Sequence, residues 1–228
     1  MVKDNIRKIK ERIALICSRI DSDPNAITIV AVSKGRNQNE IKETIEAGVT
    51  DIGENRVQEA AVKYNMLRTM NYKLRTHMVG HLQTNKVKEA VRIFDLIQSV
   101  DSLRLAQEID KEAAKINKIQ GILIEVKTSP EATKFGFKPD QAIEVIKEIS
   151  EFKNINTVGL MTIASIVDNP QQTRPYFKML RELKDKINSL HITHYTLHIL
   201  SMGMSDDFEA AILEGSSMLR LGRAIFER

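Results

Sequence analysis

Several structural features are scarce or missing in this sequence. It has a single cysteine, Cys17, no tryptophan, seven phenylalanines and four tyrosines. One cysteine excludes an internal disulfide and fits a reducing compartment, so we expect a cytoplasmic protein. No uncharged apolar run approaches the roughly 20 residues of a membrane-spanning helix, and charged residues separate the isoleucines of the first dozen residues. We therefore expect neither a membrane partner nor a signal peptide.

Motifs of several large protein classes are also absent. The 34 lysines and arginines are spread along the chain and face 30 acidic residues, which leaves a net charge of +4. Nucleic-acid-binding proteins usually show a basic stripe or stacking aromatic residues, and neither is visible here. The nucleophile elbow, the Walker loop and the dinucleotide-binding glycine motif are missing. These absences argue against nucleic-acid binding, acyl transfer, nucleotide triphosphate hydrolysis and a Rossmann domain.

The chain opens with one amphipathic helix. Isoleucines recur at steps of three and four and form a single apolar stripe at Ile6, Ile9, Ile13, Ile16 and Ile20. The stripe covers roughly two heptads before Asp-Ser-Asp-Pro stops it at residues 21–24, too few for a coiled coil. We predict a helix that lies against the following domain, with Cys17 as a small core residue.

After this helix, short β-branched runs alternate with longer amphipathic segments. The predicted strands cover residues 27–33, 51–53, 77–80, 96–100, 121–126, 157–163, 195–200 and 218–221. The predicted helices include residues 38–47, 56–68, 102–116, 140–149 and 175–187. Thr173 with Pro175 is a helix start signal, and Pro139 fits a first helical turn. Asp206 and Glu209 have the spacing of a capping box.

A strand followed by a helix, repeated eight times, indicates a parallel sheet with helical crossovers. An open doubly wound sheet is one arrangement, but eight nearly even units in roughly 200 residues favour a closed (β/α)8 TIM barrel. No linker, low-complexity tract or change of composition divides the chain. We predict an α/β fold with a single domain over residues 1–228 and an extra N-terminal helix.

In such a barrel, polar residues at the carboxyl ends of the strands are the candidates for a functional site. Lys34 follows the most apolar strand, Ile-Thr-Ile-Val-Ala-Val, so its side chain should emerge at the mouth of the barrel. Most lysines are solvated surface charges, and this is the alternative for Lys34. A lysine that is partly desolvated at the mouth has a lowered pKa and is able to form a Schiff base with an aldehyde.

The loops after strands seven and eight often bind phosphate in barrels. Ser-Met-Gly-Met-Ser at residues 201–205 and Gly222 allow backbone amides to approach an anion, whereas Asp206 and Asp207 would repel it. Two plain turns explain these loops equally well. Arg220 lies in a strand that is buried on both faces, so it needs an acceptor such as a ring nitrogen or a carboxylate.

The histidines suggest a metal site only weakly. His77 and His81 lie on a strand that runs into a loop, not on one helix face. His191, His194 and His198 lie near one another without a carboxylate or cysteine at ligand spacing. We predict no metal.

Ten sequence segments form a recognisable set. They are 31–34 (Ala-Val-Ser-Lys), 52–55 (Ile-Gly-Glu-Asn), 57–59 (Val-Gln-Glu), 77–86 (His-Met-Val-Gly-His-Leu-Gln-Thr-Asn-Lys), 99–102, 134–136, 159–161, 200–205, 220–222 and 224–226. Together they resemble the family of pyridoxal-phosphate homeostasis proteins, and the resemblance covers nearly the whole chain. No single segment is diagnostic, but the set in register is highly specific.

The resemblance implies a barrel of the alanine-racemase N-terminal type (fold type III) that holds pyridoxal 5′-phosphate. Carried onto this sequence, the cofactor-binding residues are Lys34, Asn55, His81, Met161, Ser201, Met202, Arg220, Gly222 and Arg223. Lys34 would form the Schiff base, Asn55 would lie beside the ring, and Met161 would line the pocket. Ser201 and Gly222 would hold the phosphate. Arg220 would face the pyridine nitrogen, and a cation there weakens the ring as an electron sink.

The sequence departs from the family pattern at several positions. Arg223 stands where threonine or serine is usual, so it offers a backbone amide and a charge to a phosphate but no hydroxyl. Gly-Arg-Asn follows Lys34, Thr76 stands where tryptophan is usual before His77, and Phe-Glu-Arg ends the chain.

The resemblance implies a carrier that binds and buffers pyridoxal phosphate without strong catalysis, with apo-forms of enzymes that depend on this cofactor as candidate recipients. An amino-acid racemase is the alternative. Two-base racemisation needs a second acid–base group, which related racemases take from an additional β domain after the barrel. The eighth predicted strand ends about seven residues before the last residue of the sequence, so we expect no such domain. A protein-binding regulator with a structural cofactor is a third hypothesis. We expect a monomer.

Overall fold

The computed structural model describes residues 1–69, 72–131, 134–193 and 195–227. In these ranges, eight parallel strands close into a barrel in sequential order. They are β1 (Thr28–Val32), β2 (Asp51–Glu54), β3 (Arg75–Met78), β4 (Leu96–Val100), β5 (Gln120–Glu125), β6 (Ile155–Met161), β7 (Ile199–Ser201) and β8 (Met218–Leu221). The predicted closed barrel is therefore confirmed, and the open doubly wound sheet is wrong.

Helices connect the strands on the outside of the barrel. In the described part of the chain they are α1 (Val2–Arg19), α2 (Gln38–Glu46), α3 (Val57–Thr69), α4 (Val87–Ile93), α5 (Leu103–Ala114), α6 (Ala142–Ile149), α7 (Arg174–Leu190), α8 (Phe208–Leu213) and α9 (Arg223–Phe226). None of these described helices is long and apolar enough to cross a membrane.

The predicted N-terminal helix is present as α1 and packs against α2, α8 and α9. Its isoleucine stripe and Cys17 are buried, apart from Ile20, which is 39% exposed at the end of the helix. The Asn5 side-chain amide donates to the Ile225 carbonyl of α9 at 2.9 Å. Because α9 is only four residues long, α1 completes the outer helical layer beside it.

β7 is shorter than the predicted strand 195–200. The Asn188 side chain accepts from the Leu197 amide and donates to the Leu197 carbonyl, both at 2.9 Å. The backbone of Leu197 is therefore occupied by a helix side chain and does not extend the sheet. β6 and β7 also approach closely, since a Cβ atom on Gly159 would lie 2.0 Å from the Ile199 carbonyl oxygen.

Two of the three helix start signals do not mark helix starts. The predicted capping box of Asp206 and Glu209 is wrong because α8 begins at Phe208, with Asp207 as its N-cap residue. Pro139 lies in the turn before α6 and not in its first turn. Pro175 does lie in the first turn of α7.

The barrel encloses two kinds of side chain. Val30, Val79, Leu96, Leu123, Met161 and Met218 form an apolar cluster that is separate from the larger core between strands and helices. Polar side chains share this interior, and they are Asp51, His77, Gln98, Ser201 and Arg220. These polar groups lead from the amino-terminal end of β2 towards the mouth of the barrel.

Candidate functional site

Lys34 lies at the mouth of the barrel, two residues after the end of β1. Its side chain is exposed, so the partial desolvation that we expected is not observed. Ser33 is buried, and Gly35 has a φ of 67°, a left-handed conformation that favours glycine. Within the described residues, Lys34 makes no hydrogen bond or ion pair. The turn therefore presents a free amine at the mouth.

Three hydrogen bonds fix the backbone and side chain on either side of this lysine. Ser33 Oγ donates to Glu54 Oε1 at 2.5 Å, and Lys63 Nζ donates to the Ser33 carbonyl at 2.5 Å. The Gly35 amide donates to Glu59 Oε1 at 2.6 Å. Lys63 Nζ lies 2.7 Å from a carboxylate oxygen of both glutamates. We call Glu54, Glu59 and Lys63 the lysine clamp.

The two carboxylates of the lysine clamp differ in environment. Burial raises the pKa of Glu54, although hydrogen bonds from Lys63 and Ser33 oppose the change. Burial also acts on Glu59, but the hydrogen bonds from Lys63 and from the Gly35 amide outweigh it and lower the pKa. Glu54 Oε2 is buried and has no hydrogen-bond partner in the described part of the chain. The positive charge of Lys63 therefore compensates the negative charge of the buried Glu54 carboxylate.

Lys63 belongs to no motif that we recognised in the sequence. The signal that could have found it is its position four residues after Glu59 on α3, a spacing at which opposite charges meet on one helix face. Glu54 and Glu59 lie in segments that match the family, but neither was predicted as a site residue.

A cavity of about 230 Å³ opens at the mouth beside β8. We call it the arginine cavity, and it is lined by Val32, Asn55, Val79, Ile163, Met204, Ser205, Arg220, Gly222 and Arg223. Four of the residues predicted from the sequence, Asn55, Arg220, Gly222 and Arg223, thus meet around one space. Ser205 lies beside them, and its Oγ accepts from the Ala224 amide at 3.0 Å.

Arg220 is the most deeply placed cation of the arginine cavity. Its guanidinium donates to Ser201 Oγ at 2.7 Å and to the Thr162 carbonyl at 2.8 Å. Among the described residues, a hydroxyl and a backbone carbonyl accept from Arg220, and not the carboxylate that we expected. Burial lowers the pKa of Arg220 to about 10, although Glu125 and Asp207 oppose the change. Arg220 therefore remains a cation at neutral pH.

A chain of hydrogen bonds runs from Arg220 through the barrel interior, and we call it the polar chain. Ser201 Oγ donates to Gln98 Oε1 at 2.6 Å, and Gln98 Nε2 lies 3.0 Å from His77 Nδ1. His77 Nε2 lies 2.9 Å from Asp51 Oδ1. Because the Gln98 amide donates to Nδ1, the ring proton of His77 is on Nε2 and points to Asp51.

The remaining predicted contacts lie elsewhere. Ser201 is buried below the arginine cavity, and its hydroxyl is already bonded to Gln98 and Arg220. Met202, the next residue along the chain, packs in the core between barrel and helices, and Met161 belongs to the apolar cluster inside the barrel. Within the described residues, none of these three side chains lines the arginine cavity.

A second, larger cavity of about 580 Å³ lies on the side of β2 and β3, and we call it the lysine cavity. It is lined by Lys34, Asn55, Arg56, Val57, Gln58, Met78, Gly80, His81, Leu82, Gln83 and Lys86. Asn55 lines both cavities. His81 Nδ1 lies 2.9 Å from Asp101 Oδ2, and its ring stacks on Phe135 with the centroids 3.8 Å apart.

The described residues contain no group of three or more His, Cys, Asp or Glu side chains that could hold a metal ion. His77 is committed to Asp51 and Gln98. Among the three histidines near β7, His194 lies outside the described residues.

Comparisons with known proteins relate the whole chain to others. The family model described as alanine racemase, N-terminal domain, matches residues 4–227. A pyridoxal phosphate homeostasis protein of Aquifex aeolicus is 40% identical over 223 residues, which are 98% of this chain and 96% of that protein.

Solved structures show the same relationship. PipY of Synechococcus elongatus, solved with PLP bound, is 33% identical with a TM-score of 0.83, over 96% of this chain and 99% of that one. An alanine racemase of Clostridium difficile is 19% identical with a TM-score of 0.76, over 98% of this chain and 59% of that one. The likeness to the racemase concerns the fold alone.

Proposed function

Because the chain belongs to the family of pyridoxal phosphate homeostasis proteins, we propose that it binds pyridoxal 5′-phosphate at the barrel mouth and maintains the pool of this cofactor. The observation that carries the proposal is the placement of a free amine, Lys34, at the same mouth as the arginine cavity. When bound, pyridoxal phosphate supplies an aldehyde that condenses with an amine.

The arginine cavity fits the phosphate end of the cofactor. Gly222 lines this cavity without a side chain, and a Cβ atom there would lie 3.6 Å from the carbonyl oxygen of Val32, which lines the same cavity. Arg223 pairs with Asp206, which offsets the repulsion that this aspartate would exert on an anion. We assign the phosphate to Gly222, Arg223 and Ser205. Ser201 acts through Arg220 and not by a direct hydrogen bond.

Arg220, at the bottom of the arginine cavity, would face the pyridine nitrogen of the cofactor. A group whose pKa is about 10 is a cation at neutral pH, and a cation beside the pyridine nitrogen disfavours protonation of that nitrogen. Asn55 lines both cavities and would contact the ring. This arrangement favours storage of the cofactor over strong carbanion chemistry, which is our reason for preferring a carrier to a racemase.

We also propose a monomer in a reducing compartment such as the cytoplasm. The single cysteine, Cys17, is a buried free thiol in α1, which fits that compartment. Apo-forms of enzymes that depend on pyridoxal phosphate are the proposed recipients of the cofactor.

The experiment that tests the proposal is an absorption spectrum of the protein mixed with pyridoxal phosphate. The wild-type chain should show a visible band of lysine-bound cofactor, and borohydride followed by mass mapping should place the label on Lys34. Lys34→Ala should abolish the band, whereas Lys42→Ala, at an exposed lysine on α2, should keep it. A label on another lysine, or a band that survives Lys34→Ala, would refute the assignment. The loaded protein should leave the optical rotation of L-alanine unchanged, and rapid racemisation would favour the enzyme.

A further inference from the structure

The lysine cavity is lined by three cations. They are Lys34, Arg56 and Lys86, and none of the described residues that line the cavity is acidic. Lys86 and Arg56 form no hydrogen bond or ion pair within the described residues. Glu59 is the carboxylate whose pKa responds to the charge of Arg56, and it is already bonded to Lys63 and to the Gly35 amide. The wall therefore carries positive charge that is free to meet an anion.

The same wall offers hydrogen-bond donors and acceptors at close range. Val57 and Gln58 open α3, and the first amides of a helix have no acceptor within it. The carboxamides of Gln58 and Gln83 add acceptors as well as donors. A ligand with both an anionic and a cationic group is thus better matched than an anion alone.

The His81 ring is held in a fixed orientation at this wall. Its Nδ1 atom is bonded to Asp101 and its face is stacked on Phe135. Nε2 has no partner among the described residues. When Nδ1 carries the proton that Asp101 accepts, Nε2 is an acceptor and can receive a hydrogen bond from an ammonium group.

We infer that the lysine cavity is a binding site for a free α-amino acid. Arg56 and Lys86 bind its carboxylate, and His81 Nε2 accepts a hydrogen bond from its ammonium group. This inference rests on the proposed function for its role, because the site would place an amine next to the lysine that holds the cofactor. A phosphate monoester could also bind to the cations, but it has no ammonium group to donate hydrogen bonds to His81 and to the carboxamides.

The test measures binding to the full chain without cofactor, so it is independent of whether Lys34 carries pyridoxal phosphate. Three matched probes are titrated and followed by NMR line broadening: carboxyl-labelled L-alanine, acetate without the amine, and ethylamine without the carboxylate. Alanine should bind saturably and ethylamine should not. Arg56→Gln and Lys86→Gln should each raise the Kd for alanine about three- to tenfold.

Two further variants make the test specific. Lys88→Gln, at an exposed lysine of α4 outside the cavity, should leave the Kd for alanine unchanged. His81→Phe should weaken alanine binding about threefold but leave acetate binding unchanged. Alanine binding that is absent, or that is insensitive to Arg56→Gln and Lys86→Gln, would overturn the inference. Inorganic phosphate that binds at least tenfold more tightly than alanine and ignores His81→Phe would also overturn it, by assigning a phosphate site. If alanine binds as expected while Lys34→Ala keeps the visible band, the proposed function fails and this site stands.

Discussion

Replacing Glu125 with glutamine should stabilise the cofactor-free protein above neutral pH. Glu125 ends β5 and is 5% exposed. Burial, helped by the charge of Asp101 and opposed by Arg220, raises its pKa from 4.5 to about 7. Folding therefore favours the neutral acid, and ionisation of Glu125 costs stability in the folded state.

The sign and size of the effect follow from this difference in pKa. The folded-state pKa lies above the unfolded-state value, so the contribution of Glu125 is fully present below pH 4.5 and is lost as the pH rises to about 7. At about 1.4 kcal/mol for each pKa unit, the loss reaches about 3 kcal/mol above neutral pH. Glutamine resembles the neutral acid and does not ionise, so it avoids this loss.

Urea unfolding of both proteins at several pH values measures the effect. Glu125→Gln and wild type should have the same unfolding free energy near pH 4.5, and the variant should be more stable by about 2 to 3 kcal/mol near pH 8.5. Glu89→Gln, at an exposed position on α4, should show no such pH-dependent gap. A variant less stable than wild type at pH 8.5, or a gap of equal size at both pH values, would refute the reasoning.

Two further substitutions test the lysine clamp and the close contact between β6 and β7. Lys63→Met should lower the free energy of unfolding, measured by urea titration, by about 3 kcal/mol at pH 8, because Glu54 is then left as an unpaired buried charge. Adding Glu54→Gln to this variant should recover most of the loss. Gly159→Ala should destabilise the barrel by at least about 2 kcal/mol, because its methyl group would collide with the Ile199 carbonyl, and an unchanged thermal midpoint would contradict that close approach.

The architecture was predictable because several strands, such as β1, β5 and β6, are short apolar runs rich in β-branched residues, and amphipathic helical segments separate the strands. The confirmed barrel and α1 follow directly from the two periods of hydrophobicity. The family expected from the matching segments is also confirmed. The length of β7 was not predictable, because Asn188, a residue of another element, occupies the backbone of Leu197.

The candidate site was predictable in position but not in orientation. Lys34 and Gly222 follow strands, so the fold alone brings them to the mouth. Ser201 ends β7 and Met202 follows it, yet the Ser201 side chain points into the barrel and the Met202 side chain packs in the core between barrel and helices. Which way each side chain turns depends on partners such as Gln98 and Arg220, which come from other strands.

The polar chain ties the mouth of the barrel to its opposite end. Asp51, the last residue of the polar chain, also pairs with Arg75, an exposed residue at the start of β3. Because the guanidinium of Arg220 only donates and the carboxylate of Asp51 only accepts, the direction of every hydrogen bond between them is fixed. The exposed side chain of Arg75 is therefore joined to Arg220, the most deeply placed cation of the arginine cavity, by an unbroken series of hydrogen bonds through the barrel interior.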